Sequence, residues 1–160
     1  MTERTNDRDM VMGFVDAVCR EADGSVAWEV HQKNIVTDVG RRRFANLVWS
    51  AAFVVTSPST EAADPQRSAL LDDGNASSSQ ASVIVAGTYD AITLTKSWSN
   101  VFATPAATRQ VGTIGLAART RSAAAGLLQL LAYTVLAPVK TQSPTQTLVI
   151  VYRITLTPIY

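Results

Sequence analysis

Apolar and polar residues alternate most regularly near the end of the chain. In the stretch from Gln146 to Tyr160, Leu148, Ile150, Tyr152, Ile154 and Leu156 occupy every second position. An extended backbone therefore puts all five on one face. Val149, Val151, Arg153, Thr155 and Thr157 take the opposite face, which passes from apolar to polar. β-branched and aromatic residues dominate, and no Gly or Pro interrupts before Pro158. The pattern predicts a long strand with one buried face, and such a strand needs partners on both edges.

The same period recurs at the start of the chain. Val11 to Arg20 and Ser25 to Lys33 flank Asp23-Gly24, a short-range hairpin signal because a tight two-residue turn needs positive φ at both positions. In the second run Val26, Trp28 and Val30 share one face, with Ala27, Glu29 and His31 on the other. Gly13 inside the first run suggests a bulge or a close backbone approach. The period then changes: Phe44, Leu47, Val48 and Ala51 recur at helical spacing. That predicts a helix from about Asp38 to Val54, capped by Thr37 or Asp38, weakened in its first turn by Gly40, and stopped before Ser57-Pro58. Trp49, near the edge of that stripe, is expected to shield the sheet.

From Thr56 to Ser82 the composition shifts to Pro58, Pro65, Gly74, Asp72-Asp73 and the run Ser77-Ser78-Ser79. It reads as a long surface loop, with a short turn around Leu70-Leu71. Strand character returns at Val83 to Ala86 and from Thr88 to Trp98. Asn100 to Thr108, with Pro105, reads as a loop, Arg109 to Ala118 as a strand, and Arg121 to Gly126 as a connection. Leu127 to Val139 fits a helix face through Leu127, Leu130, Leu131 and Thr134, but Tyr133, Thr134 and Val135 favour a strand. The strand reading makes it the partner of Gln146–Thr157 in one long antiparallel hairpin. The whole predicts a mainly β protein, an antiparallel β-sandwich of jelly-roll-like kind with one packed α-helix. It is expected to be a single domain over residues 1–160, with an N-terminal arm at 1–10 and a surface or interface loop at 56–82.

Composition narrows the function. Among 160 residues 47% are hydrophobic and 17% charged, which fits a folded globule rather than a disordered chain. A net charge of +1 argues against a nucleic-acid binder. Arg41-Arg42-Arg43 reads as a solvated helix face before a phosphate site. One cysteine, Cys19, excludes an internal disulfide and a cysteine-based zinc cage, and its alternating context makes it a small core hydrophobe. No run reaches the length of a membrane span, and the polar first ten residues lack a signal-peptide apolar stretch. The chain is therefore expected to be made in a cytoplasm and not to enter a membrane.

The inventory for chemistry is short. His31 is the single histidine and shares a strand face with Glu29, so it reads as surface decoration. No Gly-x-Ser-x-Gly elbow, Walker sequence or Gly-rich phosphate loop is present. Glu61, Asp64, Asp72 and Asp73 do not match the spacing of an EF-hand loop and read as a solvated acidic cluster. No pair of carboxylates stands out for glycoside hydrolysis. Trp28, Trp49 and Trp98 fall one per element, as core or rim anchors do; a sugar site would need exposed aromatics. No enzyme, no cofactor and no metal site are expected.

Three pieces stand together: Lys33-Asn34-Ile35-Val36-Thr37-Asp38-Val39-Gly40, then Arg109-Gln110-Val111-Gly112-Thr113-Ile114-Gly115-Leu116, then Lys140 followed by Gln146 to Thr155. In this order they resemble small structural proteins of tailed-bacteriophage virions. The resemblance covers most of the chain outside Thr56 to Ser82. It implies a β-sandwich subunit, crossed by a helix, that works by assembly in the virion, in the tail, collar or fibre-attachment apparatus. Alternatives are a capsid decoration protein, or an adhesion module for host-surface glycans. The partners implied are further copies of itself and other virion proteins. The polar loop supplies the candidate interface residues Pro58, Glu61, Asp64, Pro65, Arg67, Asp72 and Asp73.

Overall fold

The alternating runs become strands, and the way those strands pair is where the structure departs most from the sequence reading. The computed structural model describes residues 11–45, 52–60, 66, 80–83, 87–119 and 128–157. Its elements are β1 (Val11–Arg20), β2 (Val26–Val36), α1 (Asp38–Ala45), β3 (Ala52–Ser57), β4 (Gln80–Val83), β5 (Thr88–Asp90), β6 (Thr95–Phe102), β7 (Arg109–Arg119), β8 (Leu128–Gln142) and β9 (Thr147–Leu156). The strands form one sheet in the order β4-β3-β7-β8-β2-β1-β9-β6-β5, antiparallel at every pairing.

The sheet curls at a narrow waist. The backbone ladder between β2 and β8 runs through two pairs among the described residues, Ile35↔Tyr133 and Val36↔Ala132. Beyond that waist residues of the two halves meet in the main core, while Phe53, Val55, Ala117, Leu130 and Tyr133 form a second, separate cluster. Val15, Ala17, Leu148, Ile150, Tyr152 and Ile154 come from one half, and Val54, Ile114, Leu116 and Leu136 from the other. Phe44 of α1 closes against Trp98 of β6, ring centroids 6.2 Å apart. The alternation read in β9 holds residue by residue, with Leu148, Ile150, Tyr152 and Ile154 buried and Arg153 exposed. Each buried large side chain contributes roughly 1.5–3 kcal/mol through apolar burial.

The long hairpin of β8 with β9 does not form. β9 is paired along its length by β1, from Val11↔Leu156 to Arg20↔Thr147, and on its other edge by β6. β8 pairs instead with β7 and, at the waist, with β2. The tight turn between them, where Gln146 N–H donates to Ser143 O at 3.0 Å, carries the chain from one half of the sheet to the other. Alternation fixes which face of a strand is buried, but it does not name the neighbour.

The helix is shorter than its apolar spacing predicts. α1 ends at Ala45, and residues 52–54 belong to β3, where β-branched Val54 and Val55 pair with Leu116 and Gly115. Leu47, Val48, Trp49 and Ala51 lie outside the described residues. Thr37 is the cap: its Oγ1 accepts from Gly40 N–H at 3.0 Å and donates to the carbonyls of Leu130 and Leu131 at 2.9 and 3.0 Å. Gly40 itself is required by packing, because a Cβ there would strike the carbonyl of Leu131.

Other boundaries shift for local reasons. The expected loop over 56–82 loses both ends to strands, Thr56-Ser57 to β3 and Gln80 to Ser82 to β4. The run from Thr88 to Trp98 is broken by a turn. There Asp90 accepts from the amides of Ile92 and Thr93, and Leu94 adopts φ 50°. The β1–β2 turn spans more than Asp23-Gly24: Gly24 N–H donates to Glu21 O, Glu21 N–H donates to Ser25 O, and only Gly24 has positive φ. That is a longer turn closed by one left-handed glycine. The expected connection at Arg121 to Gly126 and the turn at Leu70-Leu71 lie outside the described residues.

Candidate functional site

The ends of β1, β3, β6 and β8 meet the starts of β7 and β9 at one end of the sheet. Arg109, the first residue of β7, is the centre of that end. Its Nε donates to Gln142 Oε1 at 2.9 Å, its Nη1 donates to Thr56 Oγ1, and the guanidinium lies over the Phe102 ring at 5.3 Å from the centroid. Its Nη2 is covered and has no acceptor.

Gln142 is fully buried, and its position is fixed by three carbonyls. Nε2 donates to Gln146 O at 2.8 Å, to Ala103 O at 3.2 Å and to Phe102 O at 3.4 Å. Such an amide holds three chain segments together without spending any donor on water. The Gln146 side chain extends the series. Its Oε1 accepts from Ser143 N–H at 2.9 Å and faces the Cys19 thiol at 3.6 Å, while its Nε2 donates to Glu21. The result is a continuous bonded path from Thr56 through Arg109, Gln142 and Gln146 to Glu21.

Electrostatics set this end apart. Burial pulls the Arg109 guanidinium down to about 10, still protonated at neutral pH. Burial, and then Glu21, push the Cys19 thiol up, against the opposing pull of Arg109. The thiol is therefore protonated and unreactive at neutral pH, as expected for a small buried hydrophobe. No carboxylate lies against Arg109 among the described residues.

A second polar cluster lies on the outer face of β1, β2 and β9. His31 Nδ1 meets Asp16 Oδ1 at 2.8 Å, His31 Nε2 stands 3.6 Å from Glu29 Oε2, and Arg153 binds the other oxygen of Asp16. The bond to Asp16 raises the affinity of His31 for its proton, aided by Glu29. The imidazole is exposed, so His31 sits on the surface beside Glu29, as its place in the sequence suggests. Among the described residues no group of His, Cys, Asp and Glu is arranged to hold a metal ion.

Of the candidate interface residues, Pro58 is described and Glu61, Asp64, Pro65, Arg67, Asp72 and Asp73 lie outside the described residues. Pro58 is half-buried directly after β3. With Ser59 it presents carbonyls to Gly112 of β7, and Thr113 Oγ1 donates to Ser59 O at 2.6 Å. This start of the expected loop is therefore fastened to the sheet. The three arginines of α1 are not uniformly solvated: Arg42 is exposed, while Arg41 Nε and Arg43 Nη1 are covered without acceptors. Trp98 is buried in the core, and Trp28 is half-buried with its Nε1 donating to Thr141 O at 2.7 Å.

The network around Arg109 was not singled out by sequence pattern. Its members are spread from Cys19 to Gln146 and meet only through pairing. The available signal was two glutamines bracketing Ser143-Pro144, an amide on each side of a turn. Comparisons with family models, with curated proteins and with solved structures each find no match.

Proposed function

We propose that the chain is a non-enzymatic structural subunit of a tailed-phage virion, working as repeated copies in the tail, collar or fibre-attachment apparatus. The observation that carries this reading is a row of outward-facing valines across three neighbouring strands. Val101 of β6 pairs with Val149 of β9, which pairs with Val18 of β1. Val101, the next-to-last residue of β6, is 61% exposed, and Phe14, 37% exposed, lies two rows away on the same face. Val151 fills the row between them. The valine row, bordered by Glu29 on β2 and separated from Phe14 by the row of Asp16, Val151 and Ser99, supports a subunit that buries this face against a neighbour.

Three further points support the reading. The segments resembling virion proteins fall on scaffold: the β2–α1 corner, β7 and β9. Their residues cap, pack and pair. The curled antiparallel sheet, with residues of both halves in its larger buried cluster, supports a jelly-roll-like β-sandwich reading. Its outermost strands β4 and β5 are short, which limits uncontrolled edge pairing while leaving the face for specific contact.

Mass measurement of the full chain in solution, with Val101→Glu beside it, tests the proposal. The parent should form a defined homo-oligomer or enter particles, and the charged variant should stay monomeric while keeping its melting temperature. A monomeric parent that neither self-associates nor enters a particle, at any concentration, sinks it.

A further inference from the structure

The charge of Arg109 is unanswered. Thr56 Oγ1 and Gln142 Oε1 occupy two of its three nitrogens, yet both are neutral oxygens. They satisfy hydrogens without compensating the positive charge, and the third nitrogen, Nη2, has no acceptor. A guanidinium partly withdrawn from water is costly unless paired. Glu21, the acid at the far end of the bonded path, is engaged with Gln146 Nε2.

The surroundings hold the guanidinium rather than let it relax. The Phe102 ring fixes its plane, and Gln142 cannot swing away because three carbonyls hold its amide. A fixed guanidinium with one unused nitrogen suits one planar, singly charged acceptor. A phosphate dianion calls for a second cation, and none bonds to this network among the described residues.

We infer that the Nη2 edge of Arg109 is a binding site for one carboxylate group. Nη2 itself is covered while the side chain as a whole is partly exposed, so the carboxylate enters by displacing what lies over that one atom. The inference does not require the assembly reading, because a small free acid can supply the carboxylate as well as a second copy of the chain.

The probe is sodium acetate against sodium chloride at equal ionic strength, applied to the full chain. In the parent, acetate at ten times its dissociation constant should raise the melting temperature by roughly 3–6 °C. The Nε–Hε resonance of Arg109 should move with the same saturation. Arg109→Gln, which removes the charge, and Arg109→Lys, which keeps it without the fork, should each lose at least half of the thermal shift. Arg153→Gln, at an exposed arginine paired with Asp16, should keep it. Equal shifts in all four proteins, or an unmoved Arg109 resonance, overturn the site. The resonance decides on the parent alone if the Arg109 variants do not fold. Sedimentation then separates the sources. If a second copy supplies the carboxylate, Arg109→Lys weakens self-association and acetate competes with it; if the source is a small acid, acetate binds and self-association is unchanged.

Discussion

The Asn34 side chain lies across the backbone of Gly13, its pairing partner on β1, so that a Cβ on Gly13 would collide with the Asn34 amide. One strand further on, the phenol of Tyr152 faces the same amide. Burial pushes that phenol far above its ordinary range, and the nearby amide pulls it partly back. All three polar atoms are sealed from water without a bond of ordinary geometry. The glycine is thus needed for the space above it rather than for its backbone freedom. Gly13→Ala should destabilise by about 1–3 kcal/mol through overpacking. Adding Asn34→Ala should recover part of that loss, since the obstacle is gone. Urea denaturation of the two single variants and the double measures the coupling. Strict additivity would mean that the two residues do not share the space.

Ile150 tests the inner face of β9. It is fully buried and paired to Ala17 and Asn100, between the two flanking strands. Ile150→Ala should cost about 2–5 kcal/mol, from lost transfer energy plus the cavity left behind. Thr157→Ala, at an exposed position beyond the strand, is the control. Indistinguishable melting temperatures would show that the face is not core.

The outer face should respond to pH through His31. Its folded-state pKa lies above the ordinary 6.5, chiefly because of the bond to Asp16. A raised histidine stabilises fully below the unfolded value and loses that contribution as pH climbs through the folded value. The parent should therefore lose a small increment of melting temperature as pH rises above about 6.5, and His31→Ala should show a flatter profile there. The effect is small because the pair is exposed to solvent. The same variant should leave assembly intact. Parallel pH profiles would show that the Asp16 contact is not made in solution.

What the sequence revealed and what it hid follow one physical division. The buried face of β9, the first hairpin, the Thr37 cap and the strand nature of β8 rest on period and local chemistry, which a single stretch carries. Partner choice does not. Ser143-Pro144 between two alternating runs suits a hairpin and a crossing between sheet halves equally well, and burial on both sides of the core decided for the crossing. Val54 shows the same limit: apolar helical spacing argued for α1, while pairing with Leu116 placed it in β3. Arg109 was legible as the head of a strand, but its dependence on Thr56 and Gln142 arises only once β3, β7 and β8 lie side by side.

The last prediction concerns the segment between β3 and β4. The sheet keeps Thr56 to Ser59 through pairing and the Thr113 bond, and it keeps Gln80 to Val83 as β4. The segment proposed for assembly is therefore residues 61–79, narrower than composition alone suggests. It carries Glu61, Asp64, Asp72, Asp73 and Arg67 with few large apolar residues. Ordering such a sequence costs roughly 1–2 kcal/mol per residue in backbone entropy, and its own apolar burial offsets little of that. We propose that contacts from a neighbouring chain supply the compensating energy, with symmetric repetition turning a weak contact into a durable one. A chain in which residues 61–79 are replaced by a short Gly-Ser linker should still fold, because β3 and β4 are spared. It should also lose self-association or particle incorporation, read by sedimentation and by co-purification with particles. Unchanged assembly of the shortened chain would leave the outer valine face as the contact surface and remove this segment from it.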